Sequence, residues 1–150
     1  MLENFNVKIT PELNAAVAES GRDFSDIVIM ASLIEKEAGS RKDAEIISGI
    51  LWKRIEIGMP LQVDAVFPYI IGKNTYEVTL QDLEVDSPYN TYKYPGLPIG
   101  PISNPGLVSI KAAINPQKTN YLYYLNDTNG VMHYATTFDE HKINKARHVR

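Results

Sequence analysis

The stretch from Asp86 to Gly106 contains five of the nine prolines of the chain and three of its nine glycines. Proline has a fixed φ and no backbone N–H, so this stretch can be neither a helix nor a central strand. A long loop inside a compact domain is usually functional or disordered. Three tyrosines within it argue against disorder, because disordered segments are poor in aromatic residues. The stretch therefore predicts an ordered, functional loop.

The residues before this loop are mostly typical of helices. Pro11 fits the first turn of one helix and Gly21 fits its end. A second helix is expected from about Asp26 to Ala38, and a third from about Asp43 to Ile57. "FNVKI" at residues 5–9 predicts a short strand, and "PLQVDAVFPYIIGKN" predicts a mixed extended segment.

The residues after the loop combine helix and hairpin signals. "LVSIKAAINP" predicts a short helix, and "NYLYYLND", "DTNG" and "VMHYATTF" predict a β-hairpin. "DEHKINKARH" predicts a closing helix. Helices that come first and a hairpin that comes late indicate an α+β fold rather than a doubly wound sheet. The domain prediction is a lead-in at 1–25 and a main domain at 26–150, within one compact unit.

Composition excludes several classes of protein. The chain has 150 residues, a net charge of −3 and no cysteine. It lacks the basic face that a nucleic-acid-binding protein usually carries. Disulfide frameworks and cysteine-based zinc sites are excluded. Since the sequence contains no run of 18 apolar residues, it predicts no transmembrane helix.

Two glutamates close the second predicted helix, in "ASLIEKEAGS". At 3.6 residues per turn, Glu35 and Glu37 point about 160° apart. Glu37 falls in the middle of the apolar stripe that contains Met30, Leu33 and Ile34. Glu35 falls on the opposite side, and we expect it to be solvated.

The position of Glu37 has two interpretations. A carboxylate on an apolar stripe loses hydration, which raises its pKa, and a general acid for glycosidic cleavage needs a raised pKa. Alternatively, Glu37 reaches past the end of the core into water. Helical phase alone leaves both open.

Seven motifs occur in order along the chain and together resemble one protein family. They are "MASLIEKEAG", "GMPLQVD", "DSPYNTY", "GLPIGPISNPG", "SIKAAINP", "YLYYL" and "HYATTFDEH". This set, which covers about Ile27 to His141, resembles the YceG-like (MltG) family of endolytic murein transglycosylases. The resemblance implies a catalytic domain outside the cytoplasmic membrane, anchored by a membrane helix that this chain lacks. It also implies peptidoglycan glycan strands as the substrate and the cell-wall synthesis machinery as a possible partner.

The resemblance places the catalytic residue of the family on Glu37. It implies that Glu37 protonates the oxygen between MurNAc and GlcNAc, then takes a proton from the MurNAc C6 hydroxyl as that oxygen attacks C1. The product is a 1,6-anhydro-MurNAc end. No metal and no cofactor are implied, and His133, His141 and His148 are expected to be structural.

Several polar and aromatic residues are expected to bind the sugar chain. Asp64 is a second carboxylate that could orient substrate, act as base or nucleophile in a hydrolase, or cap a turn. Amide, hydroxyl and ring groups suited to saccharides are offered by Gln62, Asn90, Thr91, Tyr92 and Tyr89.

Other functions remain as alternatives. A muramidase-type hydrolase would act on the same substrate but leave reducing ends. A non-catalytic peptidoglycan-binding module would use the tyrosine-rich loop and would not need Glu37. A pyridoxal-phosphate lyase is disfavoured, because the chain has no Gly-rich strand-to-helix turn to hold the phosphate.

Overall fold

The computed structural model describes residues 9–149, so nearly all of the predicted strand at residues 5–9 lies outside the described part. Within these residues, six α-helices and one hairpin follow one another. Helix α1 spans Pro11–Ser20 and α2 spans Phe24–Glu37. The Thr10 side chain accepts a hydrogen bond from the Leu13 N–H, and Gly21 ends α1 at φ 70°, a conformation that favours glycine. The predicted start and stop of this helix are confirmed.

Helix α3 spans Arg41–Glu56 and begins at Ser40, whose hydroxyl accepts a hydrogen bond from the Asp43 N–H at 3.1 Å. Between α2 and α3 lie Ala38, Gly39 and the capping residue Ser40. The chain therefore turns sharply immediately after Glu37. Gly49 allows another close approach: a Cβ there would lie 1.9 Å from the carbonyl oxygen of Gln117.

A short helix, α4, spans Val66–Ile71 where an extended segment was expected. The apolar and β-branched residues favour a strand locally, but Val66 and Phe67 are fully buried in the core. Tertiary packing overrides the local preference here. Two 3-10 turns follow, at Thr75–Glu77 and Asp82–Glu84.

The chain then passes through the Pro/Gly-rich loop to helix α5, Leu107–Ile114. Strands β1, Tyr123–Asn126, and β2, Met132–Ala135, form the antiparallel hairpin. Helix α6, Phe138–His148, follows. The α+β class and the late hairpin are thus confirmed.

The hydrophobic core surrounds α2. Its side chains Ile27, Met30, Leu33 and Ile34 are completely buried, among residues of α3, α4 and α5. Helix α1 contributes Leu13 and Val17 to the same core, while the domain boundary at residue 25 stays a prediction. Between residues 9 and 149, no helix combines the length and apolar character needed to cross a membrane.

The polar side of α2 is covered by the Pro/Gly-rich loop. The Ser32 hydroxyl accepts a hydrogen bond from the Ile102 N–H at 3.1 Å, and the Ser103 hydroxyl donates to the Ser32 carbonyl. The Glu35 carboxylate accepts hydrogen bonds from the Gly106 N–H at 3.2 Å and from the Ser109 hydroxyl. Glu35 is exposed, as expected, but it is not merely solvated: it caps the start of α5.

Candidate active site

Glu37 is the last residue of α2 and lies at a cavity of about 570 Å³. The residue is half-buried. Its Oε2 accepts a hydrogen bond from the Tyr124 hydroxyl at 3.1 Å. Because α2 ends here and the backbone becomes extended at Ala38 (φ −89°, ψ 133°), the carboxylate stands at the edge of the core rather than inside it.

Two walls line this Glu37 cavity. The first wall comes from the segments around α4, with Gln62, Asp64, Ala65, Thr75, Tyr76 and Tyr92. The second wall comes from the hairpin and α6, with Tyr123, Tyr124, Leu125, Asn126, Met132, Phe138, His141, Lys145 and Val149. Lys36, Glu37 and Arg54 complete the lining. Tyrosines, amides and charged groups thus surround a single half-buried glutamate.

The pKa of Glu37 is raised from 4.5 to about 7. Loss of hydration by burial is the largest cause, and the negative charge of Asp64 adds to it. The Tyr124 hydrogen bond, the Ala65 backbone amide and the Arg54 charge act in the opposite direction. At neutral pH the protonated and ionised forms of this carboxyl are therefore both populated, which suits a group that must give and take a proton.

Arg54 is a buried cation in the last turn of α3, with 5% of its surface exposed. Its Nε donates to the Leu122 carbonyl at 2.8 Å and its Nη1 to the Leu61 carbonyl at 2.5 Å. These bonds join the start of the hairpin to the first wall. Within residues 9–149 no carboxylate lies within ion-pair distance of Arg54. Its charge therefore remains available to stabilise the ionised Glu37 carboxylate, which lowers the pKa of Glu37.

Asp64 and Tyr92 form the polar part of the first wall. The Tyr92 hydroxyl donates a hydrogen bond to Asp64 Oδ1. Burial, followed by this bond, raises the pKa of Tyr92, so the hydroxyl remains a donor at neutral pH. Asp64 is exposed and is held in one orientation by Tyr92.

Gln62 also reaches the Glu37 cavity, from an unusual backbone conformation. Its φ is 51°, the one positive value at a non-glycine residue among those described. Its N–H donates to the Thr91 carbonyl at 3.1 Å, which fixes this conformation. The side chain itself is exposed and is free to contact a ligand.

Asn90 and Thr91 lie beside the cavity but do not line it, and both are 1% exposed. The Asn90 amide nitrogen donates to the Leu83 and Val85 carbonyls at 2.9 Å. Its oxygen accepts from the Tyr92 N–H at 3.0 Å. The Thr91 hydroxyl accepts from the Val63 N–H at 3.0 Å. Their polar groups are committed to backbone partners, so they position the wall.

Tyr89 does not line the Glu37 cavity. Its ring lies 4.8 Å from the Tyr69 ring, and its hydroxyl would lie 2.9 Å from a Cβ at position 100, where the chain has Gly100. The structure thus brings Glu37, Gln62, Asp64 and Tyr92 together, and leaves Asn90, Thr91 and Tyr89 outside.

Sequence reasoning did not assign Arg54, Tyr123 or Tyr124 to the site, and it expected His141 to be structural. Arg54 follows Ile47, Ile50 and Leu51 at helical spacings, so it interrupts an apolar stripe as Glu37 does. That signal could have identified it. Tyr124 could not have been assigned, because its contact with Glu37 spans 87 positions.

His141 borders the cavity on α6. Its ring lies 5.3 Å from that of Tyr123. Burial, Arg54 and Lys145 lower its pKa, which favours the neutral imidazole. Within residues 9–149, its Nδ1 is buried and has no hydrogen-bond partner.

Among the described residues, one cluster contains side chains of the types that bind metal ions. It consists of Asp127, His133 and His148, whose ligand atoms lie within 4.8 Å of one another. His133 Nε2 is already 3.0 Å from Asp127 Oδ2. The His133 and His148 rings are stacked at 3.7 Å with an interplanar angle of 11°. The nitrogen lone pairs of two parallel rings lie in two parallel planes, so they do not converge on one ion. Their present role is to join the hairpin to α6, and the absence of a metal stays a prediction.

A second cavity, of about 620 Å³, lies between α3 and residues 116–120. Arg22 stacks over Trp52 there, 4.3 Å from the ring centroid. The carboxylate of this second cavity comes from Glu56, whose side chain is exposed. The chemistry expected from the sequence therefore lies at Glu37.

Comparison with known proteins adds independent information. A protein named endolytic murein transglycosylase from Bacillus subtilis is 44% identical over 82% of this chain and 34% of its own length. A protein of the same name from Streptococcus pneumoniae is 37% identical over 83% of this chain and 24% of its own length. The chain therefore spans about a quarter to a third of these relatives.

A crystal structure of a yceG-like protein from Listeria monocytogenes has a TM-score of 0.80 and 38% identity to this chain. The match covers 89% of this chain and 43% of that one. The model of the YceG-like family matches residues 1–147. The chain belongs to the YceG-like family.

Proposed function

We propose that this chain is the catalytic part of an endolytic murein transglycosylase that cuts peptidoglycan glycan strands. The observation that carries the proposal is Glu37, with a pKa of about 7, at a cavity lined by tyrosines and amides. The names of the relatives support the same activity. The whole enzyme would act at the extracytoplasmic face of the membrane, with the cell-wall synthesis machinery as its partner.

The reaction uses Glu37 twice. Protonated Glu37 donates its proton to the glycosidic oxygen between MurNAc and GlcNAc as the C1–O bond breaks. The C6 hydroxyl oxygen of the same MurNAc forms a bond to C1, and the Glu37 carboxylate takes the hydroxyl proton. The ends formed are a 1,6-anhydro-MurNAc and a GlcNAc hydroxyl, and Glu37 is protonated again. Water takes no part, so a second catalytic carboxylate is unnecessary.

The neighbours of Glu37 support both steps. While the proton is away, the Tyr124 hydroxyl and the Arg54 charge stabilise the carboxylate. Because burial destabilises that charged form, the carboxylate is also a strong enough base to take the hydroxyl proton. Tyr124 and Arg54 are positioning residues in this account.

Asp64 favours a second candidate, a muramidase-type hydrolase. Its carboxylate lines the same cavity and its charge raises the pKa of Glu37. In a hydrolase, Glu37 would be the acid, and Asp64 would be the base that activates water or the nucleophile. The relatives' names favour the transglycosylase.

Mass spectrometry of the strand ends separates the two candidates. Digestion of purified glycan strands with the wild type should give anhydro ends, whereas a hydrolase gives reducing ends that are heavier by one water. Asp64→Asn should retain anhydro products if Asp64 only orients substrate. Reducing ends from the wild type, lost in Asp64→Asn, would establish the hydrolase instead.

A further inference from the structure

Two exposed aromatic rings line the Glu37 cavity, one on each of its two walls. Tyr76, on the first wall, is 99% exposed, and Phe138, on the second wall, is 56% exposed. Glu37 interacts with both walls, with the Ala65 amide on one and the Tyr124 hydroxyl on the other. The carboxylate therefore contacts both walls, each of which carries one exposed ring.

The turn that carries Tyr76 is fixed, although its ring is not packed. Asn74 and Glu77 form a capping box around the 3-10 turn Thr75–Glu77. Lys73 donates to both carboxylate oxygens of Asp82 at 2.8–2.9 Å, and Thr79 donates to the same carboxylate. A ring held out on a rigid turn loses little conformational freedom when a ligand covers it.

Phe138 is held in a comparable way at the start of α6. The Thr137 hydroxyl accepts from the Glu140 N–H, and the Glu140 carboxylate accepts from the Thr137 N–H, which fixes the first turn. The Phe138 ring lies 5.8 Å from the Tyr123 ring, centroid to centroid, and the exposed Lys142 places its Nζ 5.3 Å from the same ring. More than half of the residue is still exposed, and Phe138 lines the cavity.

Flat exposed rings of this kind match the C–H faces of sugar rings, which bury apolar area against them. An enzyme that cuts interior bonds must hold sugars on both sides of the bond that breaks. We propose that Tyr76 and Phe138 are two saccharide-stacking platforms, one on each side of Glu37, that bind the two arms of the glycan strand. This inference rests on the proposed function for the identity of the ligand.

The platforms predict how cleavage depends on strand length. A strand long enough to cover both rings is held on both arms, whereas a short oligosaccharide reaches one ring at most. Wild-type kcat/KM should therefore rise with strand length and then level off. Loss of either ring should raise KM for long strands and reduce the gain from length.

The direct test measures binding of purified long glycan strands, in the Glu37→Gln background so that the ligand stays intact. Tyr76→Ala and Phe138→Ala should each weaken Kd about tenfold, the order of one aromatic stacking contact. Tyr76→Phe and Phe138→Tyr keep a ring and should stay near the parent Kd. Tyr94→Ala removes an exposed ring that does not line the cavity and should also leave Kd unchanged.

The outcomes are distinct. The proposal is overturned if Kd is unchanged in Tyr76→Ala and Phe138→Ala. It is also overturned if Tyr94→Ala weakens binding as much as they do. Tyr76 carries no packing, so its variant should fold even if Phe138→Ala does not, and a thermal melt checks both. If Glu37→Gln still cleaves strands as fast as the wild type, the proposed function fails instead, while binding at low temperature still decides the role of the rings.

Discussion

The Tyr124 hydroxyl lies 3.1 Å from Oε2 of Glu37, so the hairpin supplies a hydrogen bond to the last residue of α2. This bond stabilises the ionised carboxylate and lowers the pKa of Glu37, against the larger effect of burial. The protonation of the proposed catalytic group therefore depends on contacts between two distant parts of the chain.

Replacement of Tyr124 by Phe should raise the pKa of Glu37 further. The protonated acid would persist to higher pH, and the high-pH limb of the kcat/KM profile should shift upward. The matched control is Tyr134→Phe, because the Tyr134 hydroxyl donates to Asp43 rather than to Glu37. An identical shift in both variants, or no shift in Tyr124→Phe, would contradict the assigned role.

The raised pKa of Glu37 also predicts a dependence of stability on pH. The folded state keeps a proton up to about pH 7, whereas the unfolded state loses it near 4.5. The folded state thus binds more protons in this window, so the free energy of unfolding should fall as pH rises through it. The full shift corresponds to about 3 kcal/mol.

Glu37→Gln removes this dependence. Urea denaturation should show little difference from the wild type below the window and a more stable variant above it, by up to about 3 kcal/mol. Glu19→Gln, at an exposed site on α1, is the control and should follow the wild type throughout. If Glu37→Gln is less stable than the wild type above pH 7, burial does not destabilise the ionised carboxylate in the folded state, and the prediction is wrong.

Arg54 should contribute both to the stability of the fold and to the pKa of Glu37. Arg54→Met leaves the Leu61 and Leu122 carbonyls without their donor and should lower the free energy of unfolding by about 2–4 kcal/mol. It should also raise the pKa of Glu37, since the Arg54 charge lowers it. Arg54→Lys keeps the charge, so its pH–rate profile should stay close to that of the wild type even if stability falls. Matching profile shifts in both variants would argue against the electrostatic role.

Substitutions of Asn90 and Gln62 should have different effects, the first on stability and the second on substrate binding. Asn90→Ala breaks hydrogen bonds to buried backbone groups and should destabilise the fold by about 1–3 kcal/mol. Gln62→Met removes an exposed amide at the cavity and should change stability by less than about 0.5 kcal/mol while raising KM. Denaturation and kinetics on the two variants check this, and a Gln62→Met enzyme with wild-type KM would remove Gln62 from the binding site.

The sequence predicted the order of elements well, because capping residues and apolar spacing are local signals. Helical phase also separated Glu37 from Glu35. It could not show that Glu35 caps α5, because Gly106 and Ser109 lie more than 70 positions away. The helix at Val66–Ile71 was missed since burial of Val66 and Phe67, rather than propensity, decides its conformation.

The candidate site was only partly predicted, because residue type is a local signal whereas burial depends on distant parts of the chain. Residue type indicated that Gln62, Asp64 and Tyr92 suit a sugar, and they do line the Glu37 cavity. Residue type alone could not distinguish them from Asn90 and Thr91, whose polar side chains bond to backbone groups of Leu83, Val85 and Val63. That distinction depends on burial, which one sequence does not reveal for loop residues.

The central claim is that Glu37 is the sole acid and base for strand cleavage. The most direct measurement digests purified glycan strands with the wild type and Glu37→Gln, and counts new ends by mass spectrometry. We expect 1,6-anhydro ends from the wild type and a loss of at least about 100-fold in Glu37→Gln, with the variant still folded. Equal rates of cleavage by the two proteins would contradict the claim.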